Sequence, residues 1–459
     1  MSSIPSFTPE APEVVHHGQA RMAYRLARKY ADELMHVHGL GWHVYDGTRW
    51  VEDQQGAATR AVLDIIRGAY AEAFDDRALL ADAKKSESAA GVRGVLDLAA
   101  ALEDFAFTVD QLDADPFLLN CANGVLDLRT RELRPHSPFD RITKVTAGSY
   151  RPEADGTVWG RFLAQVVPDP EERAYLQRVI GQAVHGTVRE HLFPVLIGTG
   201  ANGKGTAYGA ITEALGDYAV IVNPDMLMVR DRGGIGGPEM MTLLGARLVV
   251  GSETEEGRKL DEATMKRLTG GDELTARRLY SPPVSWHPSH QLVYVTNALP
   301  VVKGNDPAVW RRIRVIPFDV VVPPEDRDPR LPETLREHAD AVLTWAVRGW
   351  FDYEDNGGMR EPASVVRATG NYQTESDAVA RFIADECETG PHYFATTREL
   401  FGAWQSWAHR DGAETISERA FSAELERLGH DSRRTKFGKT WTGLRPLSND
   451  PENRSGDGW

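Results

Sequence analysis

The sequence predicts an α/β fold at the centre of the chain, preceded by an α+β N-terminal region and followed by a helical extension and a C-terminal winged-helix module. Short apolar segments alternate with helical ones between residues 188 and 322; they lie at 192–197, 219–222, 247–250, 291–296 and 313–318. Strands that are apolar throughout are typical of a sheet covered on both faces. A glycine-rich loop between the first of these strands and a helix also favours an α/β domain.

Composition excludes several functional classes. The chain has 459 residues, 52 Lys and Arg against 67 Asp and Glu, and a formal net charge of −15. This charge excludes a protein that coats nucleic acid with positive surface, so any DNA contact must be confined to a patch or to a channel made by assembly. Two cysteines, Cys121 and Cys387, and the lack of a signal-peptide or membrane-span pattern predict a cytoplasmic protein, in a bacterial host, with no membrane partner.

The N-terminal region is expected to mix helices and strands. Residues 1–18 are rich in Pro and Ser and predict a flexible N-terminus, and 19–187 form the α+β region. Apolar residues at helical spacing predict a helix over 20–36, and Asp46-Gly47 predicts the turn of a hairpin over 41–51. The remaining elements are helices up to about 102, strands around 118–128 and a helix through 175–180.

The glycine-rich loop, residues 198–206, carries the strongest local signal. Its glycines allow consecutive backbone N–H groups to converge on phosphate oxygens at a helix N-terminus, and Lys204 would reach the terminal phosphates. Gly205 stands where a hydroxyl residue usually follows the lysine, so Thr206 is the candidate Mg²⁺ ligand. The alternative is a plain glycine turn with an exposed lysine. The expected ligands are ATP and Mg²⁺, and the binding residues are Gly198, Gly200, Asn202, Gly203, Lys204, Gly205 and Thr206.

Three later segments supply further candidate residues. Glu253 follows an apolar strand, with Glu255 or Glu256 just beyond it, and such carboxylates can hold Mg²⁺ and position water. Asn297 ends the next strand, where an amide can lie beside the γ-phosphate. Arg311 and Arg312 precede the last strand and can act on a neighbouring subunit. The alternatives are a solvated acidic loop, an ordinary turn asparagine and a surface basic cluster.

The C-terminal part is expected to contain a helical extension and linker at 323–375, a module at 376–446 and a disordered tail at 447–459. Two helices followed by a basic hairpin suggest a winged helix. From 430 to 446 there are five basic residues and one acidic residue, so DNA contact by Arg433, Arg434 and Lys436 is favoured over a surface hairpin that binds nothing.

The order of these motifs resembles superfamily 3 helicases, and specifically the phage/plasmid and poxvirus-type primase-helicase family. The resemblance rests on 198–206, 252–257, 265–272, 295–297 and 310–313, and it extends to 120–128, 175–181 and 375–383. It implies an AAA+-like P-loop domain with Glu253 and Glu255 as the acidic pair, Asn297 as sensor, and Arg312 or Arg311 as the finger acting across subunits. It also implies a ring, expected to be a hexamer, whose channel hairpin follows Lys266 and includes Arg277 and Arg278.

The expected function is therefore ATP-dependent DNA unwinding in phage or plasmid replication, by a ring that translocates on single-stranded DNA. The alternative is a nucleotide-gated origin-binding, origin-melting or loader protein without processive unwinding. A metabolic P-loop kinase is disfavoured by Arg311 and Arg312 and by the basic C-terminal module. The acidic pairs Asp113/Asp115 and Asp75/Asp76 lack a catalytic setting, which indicates a helicase without its primase. Expected partners are single-stranded and forked DNA, with a separate primase or polymerase.

Overall fold

The computed structural model describes residues 16–230, 236–252, 257–302, 306–413, 415–436 and 438–447. Most of the expected flexible N-terminus and of the expected disordered tail therefore lies outside the described residues. The first part of the chain contains α1 Gly18–Tyr30, β1 Leu34–Val37, β2 Gly41–Tyr45, β3 Trp50–Glu52, α2 Ala57–Glu72, α3 Arg77–Ser86, α4 Ala89–Ala99 and β4 Ala106–Phe107. The sheet order is β3-β2-β1-β4, and the helices pack around their own apolar core.

The beginning of the chain both confirms and corrects the prediction. The hairpin is confirmed, because β2 and β3 pair antiparallel and Gly47 at the turn has φ +99°. The prediction of a helix over 20–36 is wrong beyond Tyr30, where α1 ends. Leu34 continues the helical spacing but pairs with Val44 as the first residue of β1, so cross-strand pairing overrides the local periodicity.

A small antiparallel sheet and two helices connect this part to the centre of the chain. They are β5 Leu118–Cys121, β6 Gly124–Asp127, β7 Glu132–Arg134, α5 Thr157–Val166 and α6 Pro170–Gln182. The Asp169 side chain accepts a hydrogen bond from the backbone N–H of Glu171, and Pro170 occupies the first turn of α6. Both features are typical of a helix start, which explains why the helix through 175–180 could be predicted.

The centre of the chain is a five-stranded parallel sheet, in agreement with the predicted α/β fold. Its elements are β8 Phe193–Ile197, α7 Lys204–Leu215, β9 Ala219–Val222, α8 Gly237–Met241, β10 Leu248–Ser252, α9 Glu262–Thr269, β11 Leu274–Ala276, β12 Val284–Trp286, β13 Gln291–Thr296, α10 Pro307–Trp310 and β14 Ile313–Pro317. The strand order is β14-β8-β13-β10-β9, with every neighbouring pair parallel. All six positions of β13 are buried, as expected for a strand covered on both faces.

Two apolar cores cover the two faces of this sheet. Val293 and Val295 face a core that includes α5, α6 and the helices α11 Leu331–Glu337 and α12 Ala339–Asn356, whereas Leu292 and Tyr294 face the other core. Residues 118–184 thus pack on the central sheet, separately from the core of residues 22–105. The sequence predicts 19–187 as one region, but its first part has a core of its own and its second part packs on the central sheet. The helix α13 Ala363–Ser376 packs beside β14.

The last part of the chain is a compact α+β unit with its own core. It contains α14 Ala378–Glu386, β15 Cys387–Thr396, α15 Thr397–Asp411, α16 Glu418–Arg427, β16 Ser432–Thr435 and β17 Gly438–Pro446, with the antiparallel sheet order β15-β17-β16. Phe382, Trp404, Phe421 and Trp441 fill its interior. The two predicted helices and the predicted basic hairpin are confirmed as elements, with boundaries shifted by one or two residues.

Candidate nucleotide-binding site and DNA-binding surfaces

The loop between β8 and α7 has a backbone that favours glycine at a critical position. Gly203 has φ +78°, and an added Cβ would collide with the side chains of Val166 and Phe162. Ala201 also lies in the left-handed region, with φ +61°. Because α7 begins at Lys204, the backbone N–H groups at its N-terminus lie directly after this bend, which is a suitable arrangement for binding phosphate oxygens.

Lys204 and Asn297 meet at one edge of the sheet. Lys204 is 5% exposed. Its Nζ donates to the carbonyl of Gly198, to Asn202 Oδ1 at 3.2 Å and to Asn297 Oδ1 at 3.1 Å. The cause is topological: β8 and β13 are parallel neighbours, so the residues after their carboxyl ends share one edge of the sheet.

Asn202 has a second role that the sequence does not suggest. Its Nδ2 donates to the carbonyl of Phe318 at 3.0 Å, which ties the glycine loop to the residue after β14. The space in front of the loop is a cavity of about 260 Å³, lined by 200–206, Tyr208 and 295–297. Tyr208 was not predicted. Tyr208 lies four residues after Lys204 on the same helix, so the two residues share a helix face. This spacing could have predicted that Tyr208 lines the cavity.

The open side of the loop has room for a phosphate chain. At Gly200 and Gly205 an added Cβ would meet no protein atom within 4 Å, and the cavity includes Thr206. These residues fit a nucleotide, with the Thr206 hydroxyl as a possible oxygen ligand for Mg²⁺. The predicted carboxylates Glu253 and Glu255 lie outside the described residues; β10, which precedes them, ends at Ser252 beside Val295 of β13.

Arg311 and Arg312 lie at the opposite edge of the sheet from Lys204. Since β14 and β8 are parallel and Ile313 pairs with Phe193, the arginines sit where these strands begin, roughly 16 Å from the strand ends. Arg312 is 7% exposed and donates to the carbonyl of Ala308 at 2.6 Å, whereas Arg311 is exposed. Burial lowers the pKa of Arg312, and the neighbouring charge of Arg311 acts in the same direction.

Lys266, predicted to contact DNA, forms an ion pair. Its Nζ lies 2.9 Å from Asp306 Oδ2, and this contact holds the pKa of Asp306 below its ordinary value. Asp306 also accepts from the backbone N–H of Ala308 at the start of α10, the short helix that leads to Arg311. Lys266 is thus linked to the arginine-bearing turn. Asp306 before Pro307 is a recognisable helix-start signal, but its pairing across 40 residues is decided by the fold.

The predicted channel hairpin is present as β11 and β12, which pair antiparallel from Leu274 to Trp286. Its connecting loop includes Arg277 and Arg278, both exposed. Leu279 is 73% exposed and Tyr280 is fully exposed, with φ +62°. Arg278 lies 2.8 Å from Glu52 of β3, so one side of the hairpin contacts the N-terminal region.

The C-terminal cations form a second basic surface. Arg433 and Arg434 are exposed on β16, and Lys436 is exposed just after it. Lys439 on the adjoining strand lies over the Trp441 ring at 4.5 Å and pairs with Glu426 at 2.8 Å. The hairpin therefore presents exposed cations, and the buried Trp441 anchors it to the core of the unit.

Three of the four acids considered for primase chemistry, Asp113, Asp115 and Asp76, have structural partners. The Asp113 carboxylate accepts from the Thr143 N–H at 2.8 Å and from its hydroxyl at 2.6 Å. Asp115 pairs with Arg129 at 2.8 Å, and Asp76 caps α3 and pairs with Arg21 at 2.7 Å. Among the described residues, no group of three or more His, Cys, Asp or Glu side chains has the spacing of a metal site.

No helix in the described part of the chain combines the length and apolarity that a membrane crossing requires.

Comparison with known proteins relates the chain to viral proteins. The family described as D5 N terminal like matches residues 23–168. "Putative helicase L207/L206" of Acanthamoeba polyphaga mimivirus is 26% identical over 418 residues, which cover 82% of this chain and 43% of that protein. "Putative helicase 022R" of Frog virus 3 (isolate Goorha) is 28% identical over 264 residues, covering 54% of this chain and 27% of that protein.

A third relative is named for a different activity. "Putative primase C962R" of African swine fever virus (isolate Tick/Malawi/Lil 20-1/1983) is 26% identical over 214 residues, covering 45% of this chain and 22% of that protein. The chain thus spans less than half the length of each of these relatives. Among solved structures, "The A form apo structure of NrS-1 C terminal region-CTR" matches with a TM-score of 0.46 and 10% identity, over 90% of this chain and 96% of that one.

Proposed function

We propose that this chain is an ATP-dependent DNA helicase of the superfamily 3 type that acts in the replication of a virus, phage or plasmid. The observation that carries the proposal is the convergence of Lys204 and Asn297, from neighbouring parallel strands, on the mouth of a glycine loop. A phosphate-binding lysine and a polar strand-end residue at one edge are what nucleotide hydrolysis requires. The similarity to viral proteins named as helicases supports the same activity.

Each residue of the site has a role in this proposal. The N–H groups at the start of α7 and the Lys204 ammonium bind the phosphates, and Asn297 orients the attacking water. Thr206, with Glu253 and Glu255, would hold Mg²⁺. The metal would neutralise charge on the phosphate oxygens. Asn202 keeps Lys204 aligned through its contact with the backbone at Phe318.

The proposal includes a ring, a hexamer by analogy with the resembled family, because the arginines cannot serve their own site. Arg311 and Arg312 lie at the sheet edge opposite Lys204, so they would complete the site of a neighbouring copy. The β11–β12 hairpin with Arg277 and Arg278 would line the channel for single-stranded DNA. The C-terminal unit would act as a winged helix on forked DNA through Arg433, Arg434 and Lys436, with a separate primase or polymerase as partner.

The test is strand separation of a forked DNA duplex with ATP and Mg²⁺, using wild type, Lys204→Ala and Lys85→Ala. Lys85 is exposed on α3, outside the glycine loop, and is the matched control. We expect wild type and Lys85→Ala to unwind, and Lys204→Ala to lose at least about 10²-fold in rate because a preorganised cation is removed. Equal unwinding by wild type and Lys204→Ala would contradict the proposal.

One observation supports the alternative of an origin-melting or loader protein. Gly205 provides no hydroxyl directly after Lys204, and weak Mg²⁺ binding would slow turnover. In that case wild type would hydrolyse ATP and bind DNA without separating the strands, and Lys204→Ala would change DNA affinity. Absence of ATP hydrolysis by an assembled ring would contradict both alternatives.

A further inference from the structure

A large cavity lies behind the DNA hairpin, between the N-terminal region and the central sheet. Its volume is about 610 Å³, and its walls include Trp50 and Glu52 of β3, Lys144, and Arg278 and Trp286 of the hairpin. The N-terminal region also touches the hairpin directly, because a Cβ added at Gly39 would collide with Val284 of β12. The cavity is therefore bounded on one side by the element proposed to contact DNA.

Lys144 is the notable cation in this cavity. Its Cε lies 3.0 Å from the position of a Cβ added at Gly245, which also lines the cavity. Among the described residues, the Lys144 ammonium forms no hydrogen bond and no ion pair within 4 Å, although the side chain is only partly exposed. Burial lowers the pKa of Lys144, against the opposing effect of the Asp113 carboxylate. A partly buried ammonium without an acceptor favours binding of an anionic oxygen.

The other cations of the cavity already have protein partners. Arg49 pairs with Asp217, and Arg278 lies 2.8 Å from Glu52. Arg247 donates to the carbonyls of Val184 and Leu118.

Among the described residues, no acid of the cavity forms an ion pair with Lys144 within 4 Å, although the nearby Asp113 carboxylate acts to raise the pKa of Lys144. Asp113 accepts two hydrogen bonds from Thr143, whereas Asp110 and Glu273 are exposed. Lys144 is therefore the cation in this wall with capacity for a new anion.

We propose that this cavity binds a phosphate group of single-stranded DNA, with Lys144 as its main contact and Arg278 as a second contact after exchange of its partner Glu52. The inference rests on the proposed function, and it assigns a DNA-binding role to the segment that matches the D5 N terminal like family. The same phosphate chemistry is offered by a free nucleotide. DNA is favoured because Arg278 belongs both to the cavity wall and to the loop that exposes Leu279 and Tyr280.

The experiment measures binding of a fluorescent oligo-dT strand at several salt concentrations, without nucleotide. We expect Lys144→Gln to weaken binding about 3- to 10-fold and to reduce the slope of log K against log salt by about 0.7, the value of one single-strand phosphate contact. Lys144→Arg retains the charge and should restore most of the affinity. Lys85→Gln, which removes an exposed lysine on α3, should leave both quantities unchanged.

Glu52→Gln provides an independent variant, because it frees Arg278 and should strengthen binding. Unchanged affinity and salt slope in Lys144→Gln, with wild type binding normally, would overturn the inference and leave the proposed function intact. If wild type binds no DNA, the proposed function itself fails. A separate titration with fluorescent ATP distinguishes the phosphate sources: loss of ATP binding in Lys144→Gln, with DNA binding retained, would overturn the assignment to DNA.

Discussion

Lys204 holds its ammonium against oxygens of Gly198, Asn202 and Asn297. These three acceptors are carbonyl and amide oxygens, and they orient the lysine at the mouth of the loop. In the proposed function, a triphosphate binds a cation that is already positioned, so little rearrangement is needed at binding. Lys204 is 5% exposed, and it lines the cavity in which the proposed phosphates would lie.

The position of the Mg²⁺ hydroxyl can be tested at Gly205 and Thr206. We expect Thr206→Ala to lower the ATPase kcat by about 10²-fold, because it removes the hydroxyl proposed to bind the metal. Gly205→Ser should restore activity in the Thr206→Ala background, since a Cβ at Gly205 meets no protein atom within 4 Å. The measurement is ATP hydrolysis against Mg²⁺ concentration for the two single variants and the double variant.

Gly205→Ala in the same background is the control, because it fills the same space without a hydroxyl. Full activity of Thr206→Ala would show that Thr206 is not the metal ligand. If the double variant folds normally but Gly205→Ser does not restore ATPase activity, a hydroxyl at position 205 cannot replace the one at position 206.

The buried His185 leads us to expect that the folded protein loses stability as the pH falls. It stacks on Trp350 with ring centroids 4.4 Å apart, and burial lowers the pKa of His185 to about 4 from 6.5. Because the folded-state pKa is depressed, its contribution to stability is complete above pH 6.5 and is lost as the pH falls towards 4. Between pH 7.5 and 5 we expect wild type to lose up to roughly 2 kcal/mol from this group, and His185→Phe to lose less.

The measurement is the shift in thermal denaturation midpoint between these two pH values. Phe retains an aromatic ring beside Trp350 but cannot titrate. Identical shifts in wild type and His185→Phe would contradict the prediction.

At the scale of elements, strand order brings the site together. The ends of β8 and β13 adjoin, and β10 lies next to β13, so residues separated by about a hundred positions share one edge. Local pattern predicted these strands because each is apolar along its length. It failed at the end of α1, where Leu34 follows the helical spacing but is paired in β1.

From the β11–β12 loop we expect a stacking contact between the Tyr280 ring and a DNA base. Tyr280 is fully exposed, and an aromatic ring in such a position stacks on a base without sequence preference. We expect Tyr280→Ala to weaken binding of single-stranded DNA by about 1–3 kcal/mol, measured by fluorescence anisotropy. Phe74→Ala is the control, because Phe74 is 95% exposed but lies beyond α2, away from the hairpin. Equal affinity of Tyr280→Ala and wild type would exclude this ring from the DNA path.

At the scale of the whole molecule, the sheet separates the arginines from their own phosphate loop, which predicts catalysis across subunits. Lys204→Ala and Arg311→Ala should each lose ATPase activity, by about 10³-fold or more for an essential finger. Mixed in equal amounts, they should recover activity at roughly a quarter of the interfaces, where an intact Lys204 faces an intact Arg311. A second mixture, in which Arg312→Ala replaces Arg311→Ala, shows whether the buried Arg312 or the exposed Arg311 acts as the finger.

A finger that acts within its own subunit gives the opposite result. No subunit of the mixture then contains both groups, and activity stays at the level of the separate variants. The measurement is steady-state ATP hydrolysis as a function of mixing ratio.

The central sheet, the glycine loop and the C-terminal hairpin follow from the sequence alone, because apolar strands, glycines and basic runs are local signals. Lys204 and Asn297 could each be placed after a strand, but their contact depends on β8 and β13 being neighbours, which only the tertiary structure gives. Other contacts follow only from the tertiary structure: Lys266 with Asp306, Asn202 with Phe318, and the cavity around Lys144. Each of these contacts joins residues from elements that are distant in the sequence and are brought together by burial of their apolar faces. A local pattern shows that an element has an apolar face, but it does not show which distant element covers that face.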